Sequence, residues 1–291
     1  MLALQSRLAH TWIFLSAAVS SIVVALIVGF LIINSLDAVT GIGTGLFAQQ
    51  WRPAAGQYGV LTMLYGSLAV TLIALAVAVP PGLFAAIFTA EILPARFWAP
   101  VKSLLEILAG IPSIIYGLIG VAFVSVWVGD LFDLQSGRTI LTAGLLLAVM
   151  ILPTVITLTD DALHQVPSQY REAARGLGLY PYEVICSAVL PIARRDIAGA
   201  VLLALGRALG ETMAVMLVIG SIDRLPEPLY NVLAPAQTIT SKLGREVAEA
   251  AFGSVHFSAL IFLGLVLLLT VLALTLGTHL FLKSSGGRLH E

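Results

Sequence analysis

Apolar runs alternate with polar links along this chain. The runs cover roughly 12–33, 60–90, 104–128, 139–159, 197–220 and 258–282. A helix needs about 20 apolar residues to cross a hydrocarbon core, whereas a signal peptide's apolar region has about 7–15. The first run is therefore read as a retained span, with no convincing Ala-x-Ala site after it. The pattern predicts an all-α integral membrane protein of about six transmembrane helices. We expect one domain over 1–291, with its core near 60–282. A polar island at 160–196 interrupts the pattern between the fourth and fifth runs.

Composition supports the membrane assignment. The chain is 59% hydrophobic and 11% charged, where soluble domains are about 25% charged. Its mean hydropathy is +1.00. A net charge of −1 gives no basic footprint for nucleic acid. The single cysteine, Cys186, excludes an internal disulfide, and the five histidines show no His-x3-His spacing. There is no Gly-x4-Gly-Lys-[Ser/Thr] phosphate loop and no Gly-x-Ser-x-Gly elbow. The chain thus gives no sign of nucleotide hydrolysis, covalent catalysis, a metal or a cofactor.

Breakers within the runs carry the next signals. Pro80-Pro81-Gly82 removes two backbone donors from the second run and predicts a bend or a break. It reads either as a packing kink or as a broken helix along a pathway, where irregular backbone is tolerated. Glu106 falls in the first turn of the expected third span, as an interfacial charge or a gate. Pro112 and Pro153 read first as packing kinks, each also placed to hinge a gate. Gly117 and Gly120 allow close helix approach.

Loop charge orients the spans. With the amino terminus cytoplasmic, the inner segments carry Arg7, Arg96, Lys102, Arg171, Arg175, Arg194, Arg195, Lys283 and Arg288. The outer loops then carry only Arg52, Arg138, Arg224, Lys242 and Arg245. The positive-inside rule therefore favours both termini and the polar island on the cytoplasmic side. The two halves do not align, so an inverted-repeat secondary transporter finds no support.

The island reads as two short helices. Pro167 suits a first helical position, and Gln169 to Leu177 are good helix formers. Gly176 and Gly178 can end that helix in a left-handed cap. Pro181 starts a second helix, Glu183 favours its dipole, and Pro191 closes it. Ala173, Ala174 and Leu177 give the first helix a small apolar face suited to a partner's groove.

The fifth run holds charge at depth. Arg207 lies about 15 Å along a helix starting near Ile197, close to mid-membrane. Such a charge costs about 2.5–3.5 kcal/mol on insertion scales. Glu211 follows at i+4, so the two share a helical face and can pair. Gly206 and Gly210 form a Gly-x3-Gly step that admits another helix. Two readings follow: an ion pair that fixes packing, or, with Thr212, a polar step in a translocation path. A guanidinium fork suits a tetrahedral oxyanion. Glu211 would hold Arg207 and temper its charge, or accept a hydrogen bond from a protonated phosphate.

Glu172-Ala173-Ala174-x3-Gly178, followed by Leu190-Pro191, resembles the Glu-Ala-Ala loop of permeases in ATP-binding-cassette (ABC) importers. One position departs: Ala188 stands where that family commonly has isoleucine. Tyr65-Gly66-Ser67-Leu68, the run from Leu108 to Gly117 and the run from Leu205 to Val215 are similar to phosphate-importer permeases of the PstC type. The resemblance implies a type I ABC permease fold in a bacterial cytoplasmic membrane. Its coupling helix, with Arg171, Glu172, Ala173, Ala174, Gly178, Leu190 and Pro191, would dock on an ATPase subunit. A second permease, two ATPase subunits and an extracytoplasmic phosphate-binding protein would complete the importer. The outer loops, especially 221–257, would meet that binding protein. Rival readings are a permease for sulfate or molybdate, the partner phosphate permease, and a gradient-driven transporter acting alone. A polytopic membrane enzyme lacks any catalytic constellation.

Overall fold

The first helix, α1 (Leu2–Ile42), outruns its apolar stretch. Its polar residues bond back to their own turns: Asn34 donates to the Phe30 carbonyl at 2.9 Å and Ser35 to Ile32 at 2.8 Å. A short helical turn then leads to a hairpin of β1 (Trp51–Arg52) and β2 (Gln57–Tyr58), with Trp51 opposite Tyr58. This computed structural model describes residues 2–286. Arg288 and the side chains of Arg7 and Lys283, part of the inner charge, lie outside the described residues.

Of the bend or break expected at Pro80-Pro81, the break does not occur. Helix α2 (Leu61–Ile87) passes through both prolines, which are exposed, and ends in a π-helical turn. Gly82 faces inward, where an added Cβ would lie 2.7 Å from Val155 Cγ1. The Pro-Pro-Gly run thus seats α2 tightly on α6 (Ile140–His164).

The third span breaks instead at Pro112. Helix α3 (Ala95–Gly110) stops, and Ile111 and Pro112 are extended, with ψ of 131° and 132°. Proline disfavours helical backbone at the residue before it, and this places the stop. The chain resumes as α4 (Ser113–Ile119), a π-helical turn and α5 (Ser125–Leu131). Glu106 therefore lies in the second half of α3, exposed, rather than in the first turn of a span.

Helix α6 (Ile140–His164) is the axis of the bundle. Thr139 caps it, accepting from the Thr142 N–H at 3.1 Å. It packs on α2 and α3 and on the later helices α9 and α10, and Pro153 leaves it unbroken. Its buried face, including Ile140, Leu147 and Ile151, forms the main core with Val70, Ala74 and Ala208.

The island folds into α7 (Ser168–Gly176) and α8 (Pro181–Val184). Pro191 does not close the second helix. A π-helical turn (Ile185–Val189) leads directly into α9 (Leu190–Gly210), with the Leu190 N–H reaching back to the Ile185 carbonyl. That extra residue admits Pro191 in the first turn of α9, where its missing N–H is harmless. After α9 the chain breaks again, then continues as α10 (Met213–Val218), α11 (Ile239–Glu246) and α12 (Val255–Gly286). Among the described residues, five helical stretches are long and apolar enough to cross a membrane: Trp12–Phe47, Leu61–Ile92, Ser113–Leu131, Ile140–His164 and Val255–Thr278. The interrupted pair α9–α10, which carries the expected fifth span, is not one of them.

Part of the segment expected as a free outer loop is core. Ala236, Gln237, Ile239 and Lys242 are buried, and the Ile239 N–H donates to Ser67 Oγ at 2.9 Å. Gly66 makes this possible, because a Cβ there would collide with the Gln237 backbone carbonyl. We expect Gly66→Ala to destabilise the purified chain by about 1–3 kcal/mol. Gly199→Ala, which meets open space, should not destabilise it; thermal unfolding of the two variants checks this contrast.

Candidate functional site

The two helix breaks lie against each other. The later pieces α4 and α10 pack through Gly117, where an added Cβ would sit 3.0 Å from Ala214 Cα. The earlier pieces α3 and α9 both rest on α6. Breaking α3 leaves the Leu108 and Ala109 carbonyls without their usual donors, since Pro112 has no N–H and Ser113 starts a new helix. Two side chains replace those donors. Tyr116 Oη donates to the Leu108 carbonyl at 2.9 Å. Arg207 Nη2 donates to the Ala109 carbonyl at 3.1 Å, while its Nη1 donates to Thr154 Oγ1 on α6 at 3.1 Å.

Arg207 and Glu211 do not form the expected helical pair. The helix ends at Gly210, and Glu211 has an extended ψ of 124°. Its carboxylate instead accepts from the Ala214 N–H at 3.2 Å, capping the first turn of α10. Its carbonyl accepts from Thr240 Oγ1 at 2.7 Å, tying the break to α11. Thr212 sits beside Gly244 of α11, where a Cβ would fall 2.8 Å from its methyl group. Arg207 is exposed. Among the described residues, nothing beyond the helix's own backbone comes within 4 Å of a Cβ built on Gly206 or Gly210, so no described helix packs on the Gly-x3-Gly face.

The island's residues divide between two roles. Arg171, grouped from sequence with the docking residues, turns inward. Its Nη2 donates to Glu91 Oε1 at 2.6 Å and to the Leu163 carbonyl at 2.8 Å, and its Nη1 to the Val166 carbonyl at 2.6 Å. It thus ties α7 to the turn after α2 and caps the end of α6. Ala174 also faces inward, against Leu163, Val166, Val184, Val189 and Ala193. Ala188 and Leu190 border that cluster. Glu172, Ala173, Leu177, Gly178 and Pro191 are exposed, as are Tyr170, Tyr180 and Tyr182. Gly178 takes φ +84° and donates to the Arg175 carbonyl at 2.9 Å, the left-handed cap the sequence implied.

Other polar contacts at both ends were not singled out from sequence. Asp160 is buried, its carboxylate accepting from Thr89 Oγ1 at 2.7 Å and Trp98 Nε1 at 3.1 Å. Beside it Lys102 meets Asp161 at 2.5 Å, and that hydrogen bond raises the ammonium pKa. At the other end, buried Lys242 lies between Asp223 (2.5 Å) and Glu246 (2.7 Å). Burial, and then the Glu246 carboxylate, push the Tyr58 phenol up. The Asp160 partners Thr89 and Trp98 lie far away in sequence, so no local signal reveals them. Among the described residues no group of His, Cys, Asp or Glu is placed to hold a metal.

Residues 78–283 match the family described as the binding-protein-dependent transport system inner membrane component. This chain belongs to that family. The phosphate transport system permease protein PstC of Mesorhizobium japonicum is 38% identical over 82% of this chain and 78% of its own length. The PstC protein of Pasteurella multocida is 36% identical over 90% and 87%. A probable ABC transporter permease of Bacillus subtilis, YqgH, is 34% identical over 77% and 72%. These relatives are named as permeases, not enzymes. Among solved structures, an inward-facing MetNI methionine ABC transporter aligns with a TM-score of 0.59 at 15% identity, covering 81% of this chain and 99% of that one. An amino acid ABC transporter aligns at 0.51 and 17% identity, covering 75% and 90%. The architecture is thus the all-α membrane fold of ABC importer permeases.

Arg171→Ala should cost about 3–5 kcal/mol, because it strands the largely buried Glu91 carboxylate. Arg171→Met combined with Glu91→Leu should cost clearly less; thermal unfolding of the purified single and double variants checks the difference.

Proposed function

We propose that this chain is one of two permeases forming the path for inorganic phosphate into a bacterial cell, driven by ATP bound to separate subunits. The observation that carries this reading is Arg207. It is an exposed guanidinium at the meeting of two helix breaks, and its place about 15 Å along the expected fifth span reads as near mid-membrane. A charge at that depth is too costly to face lipid, so its open side belongs to a watery path or a partner helix. Two of its nitrogens are engaged by Thr154 and Ala109, which fixes the fork while leaving N–H groups for phosphate oxygens. The naming of the relatives as phosphate permeases supports the choice of cargo.

In this reading the exposed side of α7, with Glu172, Ala173, Leu177 and Gly178, docks on an ATPase subunit at the cytoplasmic face. Arg171 acts from behind, holding α7 on α2 and α6 so that movement of the ATPases reaches the bundle. Both termini lie inside, as the loop charges favour. A second permease covers the Gly206–Gly210 face, and an extracytoplasmic binding protein delivers phosphate to the outer side. Glu106, exposed on α3, and Pro112, at the break, are positioned to move with a gate. Pro80 and Pro81 carry packing rather than gating.

The test is reconstitution of the chain with those partners in vesicles. Phosphate uptake should require ATP, and an equal concentration of sulfate, which carries no proton near neutral pH, should compete little, since one lost charge-assisted hydrogen bond discriminates by about tenfold or more. Uptake driven by an ion gradient without ATPase subunits would contradict the reading, and equal uptake of sulfate would shift it to a general oxyanion permease. Gly178→Val should abolish co-purification of the ATPase, since a β-branched residue resists φ +84° in that cap.

A further inference from the structure

A cavity of about 400 Å³ lies at the outer end of α10, lined by Arg138, Met216, Leu217, Gly220, Ser221 and Arg245. Two guanidinium groups and no carboxylate line it. The other clusters at the chain's ends are balanced: Lys102 meets Asp161, Arg171 meets Glu91, and Lys242 meets Asp223 and Glu246. Neither Arg138 nor Arg245 forms an ion pair among the described residues. Arg245 makes one long hydrogen bond, Nη1 to the Ser221 carbonyl at 3.4 Å. Gly220 brings the turn after α10 against the segment that bears Arg138. It takes φ +89°, and a Cβ there would lie 2.9 Å from the Arg138 carbonyl.

The cavity is also in line with the break. Met216, in its wall, is one helical turn, about 6 Å, beyond Thr212, to whose carbonyl its N–H bonds. Gly244, next to Arg245, packs directly on Thr212.

We propose that this cavity is an outer oxyanion site, where Arg138 and Arg245 receive phosphate before it passes the break to Arg207. This rests on the phosphate-import reading above. Two uncompensated cations at the outer mouth concentrate an anion there. Their exposure keeps binding weak enough for onward release.

The test uses the complete importer in vesicles, in a Cys186→Ser background with Ser221→Cys as a reporter in the cavity wall. Phosphate should slow labelling of that thiol by an uncharged maleimide, whereas chloride at equal ionic strength should not. The combination Arg138→Gln with Arg245→Gln should abolish this protection and lower phosphate uptake about tenfold at matched membrane abundance, the loss of roughly one charge-assisted hydrogen bond. The combination Arg138→Lys with Arg245→Lys should retain most of both. The site is overturned if phosphate does not protect the thiol in a complex that imports phosphate. It is equally overturned if the Gln pair still protects or still transports at the full rate. Protection in a complex that moves no phosphate would support the anion site while overturning the proposed function.

Discussion

A bilayer offers no water to satisfy a loose peptide group, so each interruption of a spanning helix must find its partners within the protein. Two interruptions in this chain meet that constraint at one place. The carbonyls freed at the end of α3 are taken up by Tyr116 and Arg207. The break after α9 is satisfied by Glu211 capping α10 and by Thr240 on α11. The same residues that satisfy the backbone also gather polar chemistry at depth. Arg207 belongs to both: it completes α3, anchors to α6, and keeps an open face.

The two ends of the bundle are built differently from its middle. At one end Arg171–Glu91, Asp160 with Thr89 and Trp98, and Lys102–Asp161 tie α2, α3, α6 and α7 into one unit. A push on α7 would therefore move several helices together instead of bending one. At the other end, Gln237 fits against Gly66 and the buried Lys242 cluster pins the segment after α10. Between these fixed ends, the extended residues 111–112 and Glu211 are the backbone able to change angle without losing a continuous helical ladder.

Much of this was legible in sequence because it is local. Apolar length marked the spans, and the left-handed cap at Gly178 followed from glycine's freedom at positive φ. Other features depended on partners distant in sequence. Pro80-Pro81 and Pro112 look alike as breakers, yet only the second stops its helix. There the freed carbonyls meet Tyr116 and Arg207, whereas exposed Pro80 and Pro81 pass within a continuous α2. The Arg207–Glu211 spacing implied a shared face only while the helix was taken as continuous. Arg171 sat within a docking motif, and nothing local revealed that Glu91 would draw it inward. Pro191 likewise read as a stop, because a π-helical turn that absorbs a proline leaves no mark in hydropathy.

The central claim is that Arg207 both joins the two breaks and provides the polar step for phosphate. Its most direct test is the rate of ATP-driven phosphate uptake by the assembled importer carrying Arg207→Ala, at unchanged membrane abundance and with the ATPase still bound. The account predicts that uptake falls at least about tenfold, as expected when a charge-assisted contact to the anion is lost. Uptake at the unsubstituted rate would contradict it.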